Sequence, residues 1–391
     1  MSERSVIVDA IRSPIGRAHK GSLTEVRPDD LAGEVVAKLL ARNPVVAEAG
    51  IDELVCGCAY PWGEQGYNVG RQVALLGGLP DTTPAYTVAR ACASSLQALR
   101  SADHAVRAGD GTAYVVAGVE SVSRVGRDRD LAPLNPRLDA SQGGEVVADA
   151  FMPMLNTAEI VAEKYGISRE EMDAYAQRSQ ERAVRSQEDG AFAAEIVAVA
   201  DGKGGSADKD DGPRPSSTLE GLSGLKPVID EEGARVTAGN SSPLNDGAAA
   251  LLVLGEKRAE ELGLEPRARI IASGVAALDP TEMGMGPVEA VRRALENAGL
   301  SLEEIDVIEL NEAFAAQVIP VMREIGSNEC DPRLNPLGGA IALGHPFGMT
   351  GARIMTTLLN GLDRADGRYG LETMCVGGGQ GQAMVVERLT N

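Results

Sequence analysis

Two cysteines, one histidine and one asparagine stand at strand ends and glycine-rich turns, where side chains are presented to ligands. Cys92 lies in Val88-Ala89-Arg90-Ala91-Cys92-Ala93-Ser94-Ser95-Leu96, where a strand-like stretch hands over to a helix. Unpaired N–H groups and the positive end of the helix dipole then face its sulfur, which lowers a thiol pKa and makes a nucleophile. The competing reading is a buried structural cysteine, the commoner fate of a free thiol. His345 is one of three histidines and lies in the run from Gly338 to Gly348. Glycines let backbone approach a ligand closely, and Pro346 fixes the chain just after the imidazole. A neutral imidazole there can take the proton of a thiol.

Cys375 precedes Gly377-Gly378-Gly379-Gln380-Gly381. A glycine-rich turn at a strand end exposes N–H groups suited to an oxyanion or a phosphate. No Lys-Ser/Thr follows, so it is not a P-loop. A second thiol there serves as acid and base, or is a strand cysteine beside a tight turn. Asn311-Glu312-Ala313-Phe314-Ala315 closes another strand, the place where α/β sheets present ligands. An N-cap Asn with a first-turn Glu is the alternative. Cys56 and Cys58 share one face of a strand and read as structural. Cys330 reads as a loop thiol, His19 and His104 as solvated or packed, and no set of these residues has metal-ligand spacing.

The elements that must position these residues alternate. Val6–Ala10 reads as a buried strand and Pro28 to about Ala41 as a helix, with Leu31, Val35, Leu39 and Leu40 at helical spacing. Leu54–Ala59 is a strand and Asn68–Leu76 a helix. Such alternation indicates an α/β fold. One pattern occurs twice. Tyr86–Ala89, a small-residue turn, a helix from Ala93 to Arg107 and a strand Ala113–Gly118 ending in Gly form the first copy. The Gly338–Gly348 turn, a helix ending at Gly361 and a strand Glu372–Gly377 ending in Gly form the second, and Ile305–Leu310 resembles the strand at Leu54. Two similar halves are therefore expected. Between them, Ser121 to Ser241 carries two helices, Thr157–Tyr165 and Arg169–Glu188. It also carries a Gly- and Pro-rich tract, Asp201–Ser217, expected to be an exposed loop.

The chain has 391 residues, 37 Lys+Arg against 57 Asp+Glu, a net charge of −20 and 43% hydrophobic residues. That balance argues against a nucleic-acid partner and for a packed core. At about 150 residues per domain, the length suggests two or three domains. Five cysteines do not make a disulfide framework. The start, Met1-Ser2-Glu3-Arg4-Ser5, has no apolar signal core, and no apolar run approaches the roughly 18 residues of a membrane span. A cytoplasmic protein without a membrane partner is expected.

Taken together and in order, Cys92, Asn311–Phe314, Gly344-His345-Pro346 and Cys375–Gly381 resemble the motifs of the thiolase family. The resemblance runs from Asp9-Ala10-Ile11-Arg12-Ser13-Pro14 to the last strand, and Gly239–Gly247 is a fifth matching stretch. It implies a thiolase-like fold: two βαβ-rich halves in a layered α-β-α-β-α core with an inserted loop domain over the coenzyme. The halves would be 1–120 plus 246–268 and 269–391, with 121–245 as the insertion. It further implies a homodimer or homotetramer, no tightly bound cofactor, and coenzyme A and acyl-CoA as substrates.

By the same resemblance Cys92 matches the acylated nucleophile and His345 the base that activates it. Asn311 matches the residue holding a water beside that histidine, and Cys375 the second acid/base. The N–H groups of Cys92 and Gly377 match an oxyanion hole, and Ser242 a pantetheine contact. Met283 and Phe314 match apolar neighbours of the acyl and pantetheine groups, and Arg214 a coenzyme phosphate contact. The reaction implied is reversible cleavage of 3-oxoacyl-CoA by coenzyme A. Ser95, Leu155 and Phe347-Gly348-Met349-Thr350 depart from the commoner family residues and bear on chain-length preference. A condensing enzyme of the ketoacyl-synthase type would lack the second cysteine. A non-catalytic acyl-CoA-binding relative would have lost a catalytic group.

Overall fold

The computed structural model describes residues 3–125 and 134–389. Met1 and Ser2, which open the polar start, lie outside the described residues, as do residues 126–133 of the expected insertion. The strands are β1 (Ser5–Arg12), β2 (Gly16–Arg17), β3 (Glu53–Cys58), β4 (Ala85–Val88), β5 (Ala113–Ser121), β6 (Val199–Ala200), β7 (Ser206–Ala207), β8 (Asn245–Gly255), β9 (Ala268–Ala277), β10 (Val307–Leu310), β11 (Tyr369–Val376) and β12 (Gln380–Arg388).

These strands repeat one order twice. In the first half it is β1-β8-β5-β3-β4 and in the second β9-β12-β11-β10, with β2 on β8 and a separate β6–β7 hairpin. Each half has a corresponding parallel pair, β3 with β5 and β10 with β11, while β8 and β12 run antiparallel to their neighbours. The half-sheets are joined through β1 and β9 by only two register pairs, Val6↔Arg269 and Ile7↔Ala268. Where β4 stands in the first half, the second has a single bridge, Ile308↔Leu334.

The apolar residues sort into three layers. Leu96, Leu99 and Val106 of helix Ser94–Ala108 and Ile354, Leu358 and Leu362 of helix Thr350–Ala365 pack among Val116, Leu251, Ile270, Met374 and Val386 from both half-sheets. Helix Pro28–Arg42 and helix Val69–Leu76 cover the outer face of the first half. Helices Gly286–Ala298 and Ala315–Glu324 cover the second, with Met154–Lys164 and Arg169–Glu188 packed beside them. The result is the α-β-α-β-α layering that the resemblance implies, and its two central helices carry the Cys92 and His345 turns at their N-terminal ends.

Several elements differ from the sequence expectation. β5 continues past Gly118 to Ser121, because that glycine is where Ser95 and Gly348 approach the strand. The last helix continues through Gly361 to Ala365, since packing on both sides outweighs the roughly 1 kcal/mol cost of one glycine. The Gly338–Gly348 run is not all turn: Ala340–Leu343 is helical. The tract Asp201–Ser217 is not simply exposed. Asp210 is buried and takes two hydrogen bonds from the fully buried Arg12, at 2.7 and 2.9 Å, while Glu195 accepts from Arg12 Nε at 2.7 Å.

Candidate active site

Cys92 stands just before helix Ser94–Ala108, on a turn in which Ala91 has φ +42°. An L-residue in that region is strained, and Ser94 holds it there. The Ser94 hydroxyl donates to the Ala91 carbonyl at 2.6 Å and accepts from Arg90 N at 2.9 Å. Close approach is needed below as well, since a Cβ on Gly57 would lie 2.2 Å from Ser95 N. Ser95 is buried and accepts from Ala352 N at 2.9 Å, joining the two central helices.

The N–H groups of Gly377 and of Cys92 itself point at the Cys92 sulfur. They do not produce the lowered pKa expected from the helix end. Burial pushes the thiol up to about 11, and these donors offset only part of it. Cys375 is pushed further above the ordinary thiol range by burial and by Cys92 nearby, and its sulfur lies 3.5 Å from Gln317 Oε1.

His345 is held on three sides. Its N–H donates to Asn245 Oδ1 at 2.9 Å, its Nδ1 lies 2.7 Å from Thr350 Oγ1, and its Nε2 lies 3.3 Å from Asn311 Nδ2. Burial, with the nearby Arg353 guanidinium, lowers its pKa to about 3, so the ring is neutral. Asn311 is buried, its N–H donates to the Thr373 carbonyl at 3.0 Å, and its Oδ1 has no partner among the described residues. It is not a helix cap, since that helix begins at Ala315 with Phe314 before it.

Glu312 is likewise not a first-turn residue. It accepts from Tyr175 Oη at 2.7 Å, Ser179 Oγ at 2.6 Å, Asn335 Nδ2 at 2.8 Å and Ile341 N at 3.1 Å. A Cβ on Gly339 would fall 2.2–2.5 Å from its carboxylate, so only glycine fits there. Glu312 thus ties helix Arg169–Glu188 to the chain that leads into His345.

Cys92, His345 and Cys375 line one cavity of about 620 Å³ together with Ser242, Met283, Phe314 and Arg214. The nine residues given catalytic or binding roles by the resemblance are at this cavity or in contact with a residue that is. Asn311 reaches it through His345, and Gly377 through the Cys92 sulfur. Ser242 N donates to the Ala313 carbonyl at 2.9 Å, joining the Gly239–Gly247 stretch to the Asn311 motif. Arg17 adds a second cation beside Arg214.

Sequence reasoning missed Arg17, Asn245, Gln317, Thr350, Tyr60 and Trp62. Arg17 directly follows the turn at Pro14-Ile15-Gly16, a usable signal. Asn245 and Thr350 lie within the quoted motifs without a role, and Pro-Trp-Gly at 61–63 carries no chemical signal of its own.

A family model described as Thiolase, N-terminal domain matches residues 5–257, and one described as Thiolase, C-terminal domain matches residues 264–388. The 3-ketoacyl-CoA thiolase of Cronobacter sakazakii is 47% identical over 393 residues, covering 99% of this chain and 100% of the relative. That of Klebsiella pneumoniae subsp. pneumoniae is also 47% identical, with the same coverage. The crystal structure of the Bacillus anthracis acetyl-CoA acetyltransferase matches with a TM-score of 0.89 at 38% identity, covering 99% of each chain.

Proposed function

The chain belongs to the thiolase family, and from that premise we propose how its own residues divide the reaction. It is an acyl-CoA:acetyl-CoA C-acyltransferase, with coenzyme A as a substrate. The observation that carries the division of roles is that Cys92, His345 and Cys375 open on one cavity.

In the degradative direction His345 Nε2 takes the Cys92 proton as the sulfur attacks the 3-keto carbon. The carbon–carbon bond beside that carbon breaks. The acyl group stays on Cys92 as a thioester, and the electron pair leaves as the acetyl-CoA enolate, which Cys375 protonates. Coenzyme A enters, gives its thiol proton to the Cys375 thiolate and attacks the thioester, releasing acyl-CoA and the Cys92 sulfur, which takes its proton back from His345. Since both thiols and the imidazole are neutral at rest, proton transfer accompanies attack.

The N–H groups of Cys92 and Gly377 hold one developing oxyanion. His345 and Asn311 hold the other, with a water on the open Asn311 Oδ1. Preorganised donors of this kind supply factors of about 10²–10³ each. Ser242, Met283 and Phe314 border the pantetheine and acyl groups, and Arg214 with Arg17 takes the coenzyme phosphates, offsetting the net charge of −20.

Residues 121–245 act as a loop domain over the coenzyme, between halves formed by 1–120 with 246–268 and by 269–391. The protein assembles as a homodimer or homotetramer. The free edge of β4 and the exposed Tyr67, Leu75, Leu76 and Tyr86 near it support that reading. Among the described residues no helix is long and apolar enough to cross a membrane, in keeping with a cytoplasmic enzyme of fatty-acid β-oxidation.

The test is coenzyme A-dependent thiolysis of acetoacetyl-CoA and of a straight-chain 3-oxoacyl-CoA with an acyl chain of medium length, with Cys92→Ser as control. Turnover of the longer substrate is expected. Turnover of the short one alone would make the enzyme an acetyl-CoA acetyltransferase with a tight acyl pocket, and labelled acyl-enzyme on Cys92→Ser would overturn the nucleophile.

A further inference from the structure

The chain holds four Phe, one Trp and seven Tyr, yet Tyr60, Trp62 and Phe347 meet on the wall of the one cavity that holds the reacting groups. Tyr60 and Trp62 stack, with centroids 4.7 Å apart and planes at 25°. Tyr60 meets Phe347 edge-on at 5.4 Å, and Phe347 meets His345 edge-on at 5.0 Å. The rings therefore run without a break from Trp62 to the imidazole. All three are partly exposed, so each leaves part of its ring open to a ligand.

The spacing of these rings is built in from below. The buried carboxylate of Glu120 accepts from Ala59 N at 3.0 Å and from Gly348 N at 2.9 Å, and Gln65 bridges Glu120 and the Tyr60 carbonyl. One carboxylate thus anchors both the Tyr60 loop and the Phe347 turn. A seat fixed before the ligand arrives costs less to occupy than one that must be ordered. The Trp62 indole N–H finds no acceptor among the described residues, so what fixes the ring is stacking.

Phe347, in edge contact with His345, brings this ring array to the reacting end of the cavity, which Val122, Met154 and Leu155 also line, whereas Arg17 and Arg214 are neighbours of one another and suit phosphates. The rings are then left for the acyl group. Aliphatic side chains would serve a straight chain equally well, but aromatic faces add a stacking preference of about two- to tenfold for a flat ring. Resting on the thiolase reading above, we propose that Tyr60, Trp62 and Phe347 seat the far end of the acyl group and select 3-oxoacyl-CoAs whose chain ends in a planar ring.

Trp62 is the only tryptophan in the chain, so its emission reports whether the seat is filled. Titrating Cys92→Ser protein with a phenyl-ended acyl-CoA should change that emission, and coenzyme A alone at saturation should not. An equal change with coenzyme A alone, or none with the acyl-CoA, overturns the seat. In turnover, kcat/KM for a phenyl-ended 3-oxoacyl-CoA should exceed that for a straight-chain one of the same carbon number by about fivefold. That ratio should fall to about one in Trp62→Leu and persist in Trp62→Phe. A ratio of one in the wild type, or one unmoved by Trp62→Leu, overturns the selection. If no 3-oxoacyl-CoA turns over while the emission response stays specific to the acyl-CoA, the thiolase reading fails and the seat stands.

Discussion

Thr350 Oγ1 lies 2.7 Å from His345 Nδ1 and spends its only proton on the Pro346 carbonyl, 2.9 Å away. Toward the imidazole the hydroxyl oxygen is therefore an acceptor, so Nδ1 carries the ring proton and Nε2 is left as the free base. Nε2 is the nitrogen beside Asn311. Thr350→Val keeps the shape and removes the acceptor, so both tautomers become available. We expect kcat for thiolysis to fall about ten- to a hundredfold with little loss of melting temperature. Unchanged kcat would show that the tautomer is set some other way.

The resting thiol–imidazole pair is neutral. Burial takes Cys92 up to about 11 and His345 down to about 3, so no thiolate–imidazolium pair exists near neutral pH. Alkylation of Cys92 by iodoacetamide should rise about tenfold per pH unit from pH 6 to 9 without levelling. Peptide mapping must follow Cys92 alone, because Cys330 is exposed. A plateau below pH 8 would mean a preformed ion pair and a different order of proton transfer.

How far the sequence could be read depended on whether a residue's partner was near in the chain. Helix Arg169–Glu188 was legible in full because its capping box, Ser168 with Glu171, is local. The four chemical motifs were legible because each is a contiguous turn. Asp210 was not, since a Gly- and Pro-rich tract looks exposed until Arg12, 198 residues away, is seen to bind it. Gly118 looked like a strand end, but a strand glycine also marks a close approach of other chain, and here Ser95 makes it. The neutral state of Cys92 was hidden for a related reason. A helix N-terminus is visible in sequence, whereas the burial that outweighs it belongs to the packed fold.

Glu312 gives a test of that packing. Removing its carboxylate in Glu312→Ala strands the donors of Tyr175, Ser179, Asn335 and Ile341, all in the interior. Breaking a buried polar hub of this kind costs about 3–5 kcal/mol. Denaturant unfolding should show a loss of that size. A loss under about 1 kcal/mol would mean that water replaces the carboxylate and that the hub does not fix the His345 segment.

The buried pair Glu309 and Glu372 predicts how stability depends on pH. The two residues are register partners on the parallel strands β10 and β11, and both are fully buried near Arg353. Burial pushes Glu309 up to about 8 and Glu372 well above the carboxylate range, although Arg353 pulls the other way. A carboxyl whose folded pKa exceeds its unfolded value binds a proton in the fold that the unfolded chain has lost. Its contribution is complete below about pH 4.5 and fades as pH rises to about 8, by up to about 1.4 kcal/mol per unit. His345 has the opposite sign, being neutral in the fold, and costs stability only as pH falls below about 6.5. Between pH 6.5 and 8 the carboxyl effect is therefore free of it. Over that window the wild-type unfolding free energy should decline more steeply than that of Glu309→Gln, which keeps the shape and cannot titrate. Equal slopes would show that Arg353 holds Glu309 ionised, and the buried guanidinium would then be half of an ion pair.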